Sequence, residues 1–300
     1  MLATDPNDLA QFSKLEGVQV QTATPSDDFI KHVKINARKG YRGIQDLPGF
    51  SVVKGHNLPI ALVGGGPSLK NNLDRLRDFK LAGFPIISCG SVHDYLVQNG
   101  IIPEYATICD PDPLVLEYLK HTSKYTKYLL ALSLDPCVFD YMNGHDFYVW
   151  NCRSDEAAEA VKPEVQGLGY ADIFGGCTVG LRSIPIAMCL GHTNIHFWGF
   201  DSCMGSGKEH HAYEFATDKE EIGETYSIRF GDTKLGEPDK DGKYYICSGY
   251  QLAQAWHFQI YLQNFGKLFT PTFHGEGLLP DYYAYLRKKS EEEFLKQKAA

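Results

Sequence analysis

The sequence predicts an α/β fold: a doubly wound, mostly parallel, Rossmann-like sheet with an N-terminal extension and a late lid-like insertion. Three observations predict it. Short unbroken apolar runs, such as Ile60-Ala61-Leu62-Val63 and Tyr128-Leu129-Leu130-Ala131-Leu132, are bounded by turn residues, which marks strands covered on both faces. Helical segments separate these runs, and such alternation implies right-handed crossovers. The 300 residues, 43% of them hydrophobic, suffice for one sizeable core.

Residues 1–57 are polar and irregular and read as an extension. A short helix is expected from Ser26 to about Lys39, with Ser26-Asp27-Asp28 as its cap. It carries Lys31, Lys34, Arg38 and Lys39, with Arg42 just beyond; such a run is usually a solvated face. The organised domain is expected over 58–280. Its first strand, from Pro59 to Val63, runs into a glycine turn and then a helix to about Phe79. Further strands are expected at Pro85–Cys89, Tyr105–Cys109, Tyr128–Leu132 and Phe147–Trp150, with a helix at Val92–Gln98. Residues 152–172 read as a loop with a short helix. A helix over Thr178–Leu190 leads into the strand Ile195–Trp198. Residues 208–243 are charged and glycine-rich and read as a lid or insertion. A long helix at Gly249–Asn264, a last strand at Lys267–Phe269 and a helical tail over 281–300 complete the chain.

The formal net charge of −8 argues against a protein that coats nucleic acid, leaving that contact open only at the basic segment 31–42. No secretory signal or membrane span is expected, since no apolar stretch approaches about 18 residues. The eight cysteines are scattered without a Cys-x-x-Cys pair, which favours reduced thiols in a cytoplasmic setting over disulfides or zinc. Self-association is left open.

Four motifs carry candidate chemistry. The turn Gly64-Gly65-Gly66-Pro67-Ser68 lies between a strand and a helix, where glycines admit close approach and unpaired N–H groups face an anion. It is neither a Walker A motif nor a Gly-x-Gly-x-x-Gly fingerprint, and its bland reading is a tight structural turn. Asp110-Pro111-Asp112-Pro113 follows a strand end, where two acids can present a divalent cation to phosphates; Asp112 can equally cap the next helix. Gly175-Gly176-Cys177-Thr178 opens a helix and offers a second anion or ribose site at Gly176 and Thr178, or close helix–sheet packing. Gly199-Phe200-Asp201 ends a core strand, and His210-His211 follows within Lys208–Tyr213. Adjacent histidines point apart, so one of them as acid, base or phosphate donor suits better than a shared metal.

In this order the motifs resemble the 6-hydroxymethylpterin diphosphokinase MptE-like family, which also covers motility accessory factor glycosyltransferases. The resemblance spans roughly 58–280 and includes Pro103-Glu104-Tyr105, Gly176-Cys177-Thr178-Val179-Gly180 and Gly275-Glu276-Gly277-Leu278-Leu279. The basic N-terminal segment with His210-His211-Ala212-Tyr213 is most similar to members carried by bacteriophages. The layout is more distantly similar to CMP-sialic-acid sialyltransferases. Those carry asparagines where this chain has Gly65, Gly90 and Asp110, and a catalytic histidine with no counterpart near Cys247.

The resemblance implies a magnesium- and nucleotide-dependent transferase. Gly64, Gly65, Gly66, Ser68, Gly90, Gly176 and Thr178 would hold ATP, and Asp110 with Asp112 would hold Mg²⁺. Asp201, His210 or His211 would position the acceptor hydroxyl. The alternatives are a glycosyltransferase using a nucleotide-sugar, with a small-molecule or glycan acceptor, and a non-catalytic nucleotide-binding phage protein. The first two differ in which bond breaks; the third binds nucleotide without turnover.

Overall fold

The apolar run before the glycine turn forms strand β1 (His56–Val63), whose last four residues are buried. The computed structural model describes residues 27–50, 56–154, 157–206, 209–214, 225–229 and 243–299. Ser26, Lys208 and most of the expected lid lie outside the described residues.

The described residues of Ala23–Gly64 and Asp74–Phe197 form one compact unit. After β1 its strands are β2 (Ile86–Cys89), β3 (Tyr105–Ile108), β4 (Lys127–Ala131), β5 (Phe147–Cys152), β6 (Asp172–Ile173) and β7 (His192–Trp198), of which Trp198 begins the other unit. They lie in the spatial order β7-β1-β2-β3-β4-β5-β6, and β1 through β6 pair in parallel. The order reverses direction at β1, as doubly wound sheets do. The core of the sheet is fully buried: Ile60, Ala61, Leu62, Ile86, Leu129, Leu130 and Val149 are inaccessible. The helices here are α1 (Asp27–Ala37), α2 (Leu73–Leu81), α3 (Val92–Gln98), α4 (Pro136–Tyr141), α5 (Ala158–Val165) and α6 (Val179–Cys189), with Leu73 assigned to the other unit. Helix α6 packs on β1, β2, β3 and β6. The expected Rossmann-like α/β architecture is thus present.

Helix α1 is amphipathic and buries Phe29, Val33 and Ala37. Asn36, 1% exposed, donates both amide hydrogens, to the carbonyls of Leu132 (2.9 Å) and Leu134 (2.8 Å) beyond β4. Of the cations on it and just beyond, Lys31 pairs with Asp28, Arg38 with Glu164 and Arg42 with Asp146. Exposed pairs of this kind contribute little, so the helix is held by its apolar face and by Asn36. Asn36→Ala strands two buried carbonyls and should destabilise the fold by about 2–3 kcal/mol, measurable as a lowered urea midpoint. An unchanged midpoint would show α1 to be an appendage.

The described residues of Gly65–Leu73 and Trp198–Ala300 form the second unit. It holds a 3₁₀ turn (Pro67–Asn72), an antiparallel pair β8 (Thr225–Arg229) and β9 (Tyr244–Ser248), helix α7 (Gly249–Phe265), strand β10 (Thr270–His274) and helix α8 (Leu278–Ala299). A capping box, Ser248 with Gln251, starts α7. Two elements differ from expectation. The last strand falls at Thr270–His274, not Lys267–Phe269: α7 runs on to Phe265, and the Leu268 N–H closes a turn on the Phe265 carbonyl (2.8 Å). The charged stretch contains β8, whose buried Ile228 pairs with buried Tyr245 of β9, while Tyr226 pairs with buried Cys247. That alternation is too short to read through the surrounding charge.

Among the described residues no helix is long and apolar enough to cross a membrane. All eight cysteines are free thiols.

Candidate functional site

In the second unit, three loops converge on Asp201. Gly199 takes the left-handed conformation (φ 64°), letting the chain leave β7 and turn Asp201 inward; Ser202 follows with φ 52°, its hydroxyl donating to Gln254 Oε1 (2.8 Å). Positive φ on a serine costs free energy, and such strain gathers at functional loops. The Asp201 carboxylate, in a residue 4% exposed, accepts from the Ser68 N–H and the Ser68 hydroxyl, both at 2.6 Å. The Gly66 N–H donates to the Gly199 carbonyl (2.9 Å). From the third side, the Leu279 N–H donates to the Asp201 carbonyl (3.1 Å).

The glycines make this convergence sterically feasible. A Cβ on Gly66 would lie 2.7 Å from both Asp201 Cγ and the Gly199 carbonyl oxygen. One on Gly277 would lie 2.5 Å from the Asp201 carbonyl oxygen, and Gly277 also holds φ 139°. The Gly275–Leu279 segment therefore belongs to the site, a role that its motif alone did not disclose. Two glycines flanking one acid just after a strand were the available signal.

Burial pushes the Asp201 carboxyl up to about 6, with Glu276 adding to the rise and the two Ser68 hydrogen bonds opposing it. The desolvation of the charge thus outweighs two good donors.

Over the mouth of the turn, the Ala212 N–H donates to the Gly65 carbonyl (2.9 Å). This seats His211 and Tyr213 against Gly65, where a Cβ would fall 2.6 Å from Tyr213 Oη and 2.8 Å from His211 Cδ2. His211 stacks with Tyr213 (centroids 5.2 Å apart), and His210 Nδ1 lies 3.2 Å from His211 Nδ1. For that contact to be a hydrogen bond, one nitrogen carries the proton and the other receives it. Gly65, Gly66, Ser68, Asp201, His210 and His211 are thus brought together, with Tyr213 added.

In this geometry the Ser68 N–H is bonded to Asp201. Asp201 is tied to the turn, so it acts as the turn's anchor.

The other candidates lie in the first unit. Gly64 follows the end of β1. Gly90 (φ 67°) donates to the Thr107 carbonyl (2.9 Å) and faces Val179, whose Cγ1 would be 3.1 Å from an added Cβ. Thr178 caps α6, its hydroxyl accepting from the Leu181 N–H (3.3 Å), and Gly176 stands two residues earlier. These positions show close helix–strand packing at strand ends. Asp112 caps the short 3₁₀ helix Pro113–Tyr118 through the Leu114 N–H (2.8 Å), and Asp110 accepts from the Asp112 N–H (3.1 Å). Each bond occupies one oxygen, Oδ1, of its carboxylate. Among the described residues, no three histidines, cysteines or acids gather as a metal cage.

The first unit is a Rossmann-like α/β sheet with glycine-lined turns at its strand ends, and the second unit holds an acid–imidazole cluster. The family model described as 6-hydroxymethylpterin diphosphokinase MptE-like matches residues 31–207, more than half the chain, and the chain belongs to that family. The structure is similar to that of the Maf glycosyltransferase from Magnetospirillum magneticum AMB-1, with a TM-score of 0.61 at 17% identity, over 96% of this chain and 46% of that one. The chain thus spans about half the length of that relative. Two mammalian sialyltransferase structures also match. One was solved in complex with Gal-beta-1-3GalNAc-ortho-nitrophenol and has TM-score 0.34, 11% identity and coverage of 71% of this chain and 78% of that one. The other has TM-score 0.40, 9% identity and coverage of 91% and 87%. No curated protein sequence matches significantly.

Proposed function

We propose that the chain transfers a glycosyl group from a nucleotide-sugar to an acceptor hydroxyl, with the His210–His211 pair taking the hydroxyl proton. The observation that carries this reading is the occupation of the glycine turn. The Ser68 N–H and hydroxyl, which would otherwise grip a triphosphate, are held by a buried carboxylate. Glu276 adds to the negative potential at Asp201. A donor with one or two phosphates brings less charge to such a turn than ATP does. Tyr213 beside Gly65 supplies a hydroxyl donor for its phosphate oxygens. The bond from the anomeric carbon to the phosphate oxygen breaks, a bond to the acceptor oxygen forms, and the acceptor proton passes to an imidazole. The nucleotide leaves with the electron pair of the broken bond.

A second reading, diphosphate transfer from ATP to a pterin-like hydroxymethyl group, is favoured by the family description and by Asp110-Pro111-Asp112. Their donor set fits magnesium, which is held by one or two carboxylates while keeping waters and phosphate oxygens. Asp110 and Asp112 would hold the ion, which when bound supplies neutralisation of phosphate charge.

Product analysis separates the two. With a panel of nucleotide-sugars, release of the nucleoside mono- or diphosphate is expected, and His210→Ala or His211→Ala should slow it about 10²–10⁴-fold with little change in donor affinity. Release of AMP from ATP in the presence of 6-hydroxymethylpterin and Mg²⁺, with no sugar-nucleotide turnover, establishes the second reading instead. Nucleotide binding without either product leaves the chain a binding module.

A further inference from the structure

The parallel pairing of β5 with β6 sets Asn151 beside Asp172 in the first unit. The Asn151 side-chain amide donates to Asp172 Oδ1 (2.7 Å), which fixes how the side chain is turned: its nitrogen is spent on the carboxylate, and its oxygen is not. Asn151 is 3% exposed, and its Oδ1 has no hydrogen-bond partner among the described residues. A buried acceptor left unmet is costly, and such groups call for a donor. Asn151 and Asp172 line a cleft of about 30 Å³, with helix α5 on its other side. Val161 and Val165, one turn apart on α5, give it an apolar wall; Lys162, Gln166 and Arg153 bring donor groups to it. Lys162 holds Glu159 at 3.4 Å, a solvent-screened pair that competes little with a ligand.

This lining selects the chemistry of what enters. A cleft of that volume admits about two water-sized groups. An anion would meet two acceptors, the Asp172 carboxylate and Asn151 Oδ1. A cation would meet Arg153 and Lys162. An apolar group would leave Asn151 Oδ1 unmet. A hydroxyl suits every side, because it donates one hydrogen and accepts on its lone pairs. Two neighbouring hydroxyls on one ring use the acceptors and the donors together, and the C–H face of that ring meets Val161 and Val165.

We propose that the cleft between α5 and the β5–β6 pair is a binding site for a neutral sugar, which inserts two adjacent hydroxyls and leaves the rest of its ring outside. Asn151 Oδ1 and the Asp172 carboxylate accept from those hydroxyls, and Lys162 and Gln166 donate to them. The site is built wholly from the first unit. It does not depend on the transfer reaction or on which bond that reaction breaks, since it requires only that free sugar bind in the absence of nucleotide.

The full chain, labelled with nitrogen-15 and free of nucleotide, is titrated with glucose, galactose and N-acetylglucosamine, and separately with glycerol and inorganic phosphate, while its amide resonances are followed. At least one sugar should bind at millimolar concentration and shift the Asn151 side-chain amide together with the backbone amides of Lys162 and Gln166. Asp172→Ala should weaken that binding about 10–100-fold, as loss of a hydrogen bond to a charged group does, and Gln166→Ala about 3–10-fold. Both positions are exposed. Absence of binding by all three sugars, so that the cleft takes ordered water only, overturns the proposal. So does glycerol or phosphate that binds as tightly as the best sugar, or sugar affinity unchanged in both variants. Sugar-induced shifts that gather at Gly65 and His211 and leave the cleft unmoved also overturn it, yet agree with the transfer reaction proposed above, so failure of one is told from failure of the other. The titration of the wild-type chain decides by itself if the Asp172→Ala chain folds poorly.

Discussion

Replacing Asp201 with Asn should remove a pH dependence of stability that the wild-type chain shows between about pH 4 and 6. The carboxyl titrates near 3.8 when solvated and at about 6 in the fold, because burial disfavours its charge. A folded pKa above the unfolded one means the folded state binds the proton more tightly. The associated stability is therefore fully present below about pH 4 and is lost as pH rises through about 6. A shift of roughly two units corresponds to about 3 kcal/mol, an order-of-magnitude figure. Asparagine keeps both contacts: its carbonyl accepts from the Ser68 N–H, and its amide donates to the Ser68 hydroxyl, which reverses its role. Hence the urea midpoint of Asp201→Asn minus that of wild type should be near zero at pH 4 and clearly positive at pH 7. Asp201→Ala should be destabilised at every pH by about 1–3 kcal/mol, because the buried Ser68 N–H loses its partner. A difference between Asn variant and wild type that does not move with pH would mean that Asp201 is solvated.

Gly65→Ala and Gly66→Ala should fail in opposite ways although the residues are neighbours. The Cβ at Gly66 meets the Gly199 carbonyl oxygen and Asp201 Cγ at 2.7 Å, and the Gly66 N–H is already bonded to that carbonyl. Backbone on both sides must shift, so a loss of about 1–3 kcal/mol or more is expected, as in an overpacked core. The Cβ at Gly65 meets only the far ends of Tyr213 and His211. Those side chains can swing aside, so the fold should persist with nearly wild-type melting. Moving them misplaces the groups assigned to the acceptor proton and the donor phosphate, and an ångström of misplacement costs about 10²-fold in rate. Thermal melts and turnover measured on both variants check this. A Gly65→Ala enzyme of full activity would remove His211 and Tyr213 from the chemistry, and an unperturbed melt for Gly66→Ala would contradict the packing around Asp201.

Most of the sheet was legible in the sequence. Parallel strands buried on both faces must be continuously apolar, and Ile60–Val63, Ile86–Cys89, Tyr105–Ile108 and Tyr128–Ala131 are marked in just that way. Helices α6 and α7, expected from Thr178 and Gly249, begin at Val179 and Gly249. Strand β8 was hidden because a half-buried strand shows only alternate residues, and charge surrounds the few it has.

The sequence by itself determined the fold class, the strand-end glycine turns and the set of acids and imidazoles available for chemistry, because these follow from local periodicity and residue type. Only the tertiary structure decided what each polar group does. Asp201 and Ser68 are 133 residues apart, and no spacing rule pairs them. Their contact exists because Gly65–Leu73 and the chain from Trp198 onward fold into one compact unit, and it makes the Ser68 N–H the partner of a buried carboxylate. Gly277 and Tyr213 joined the site for the same reason: a side chain's partners are set by which chain ends the sheet topology delivers together, and that is a long-range property of packing.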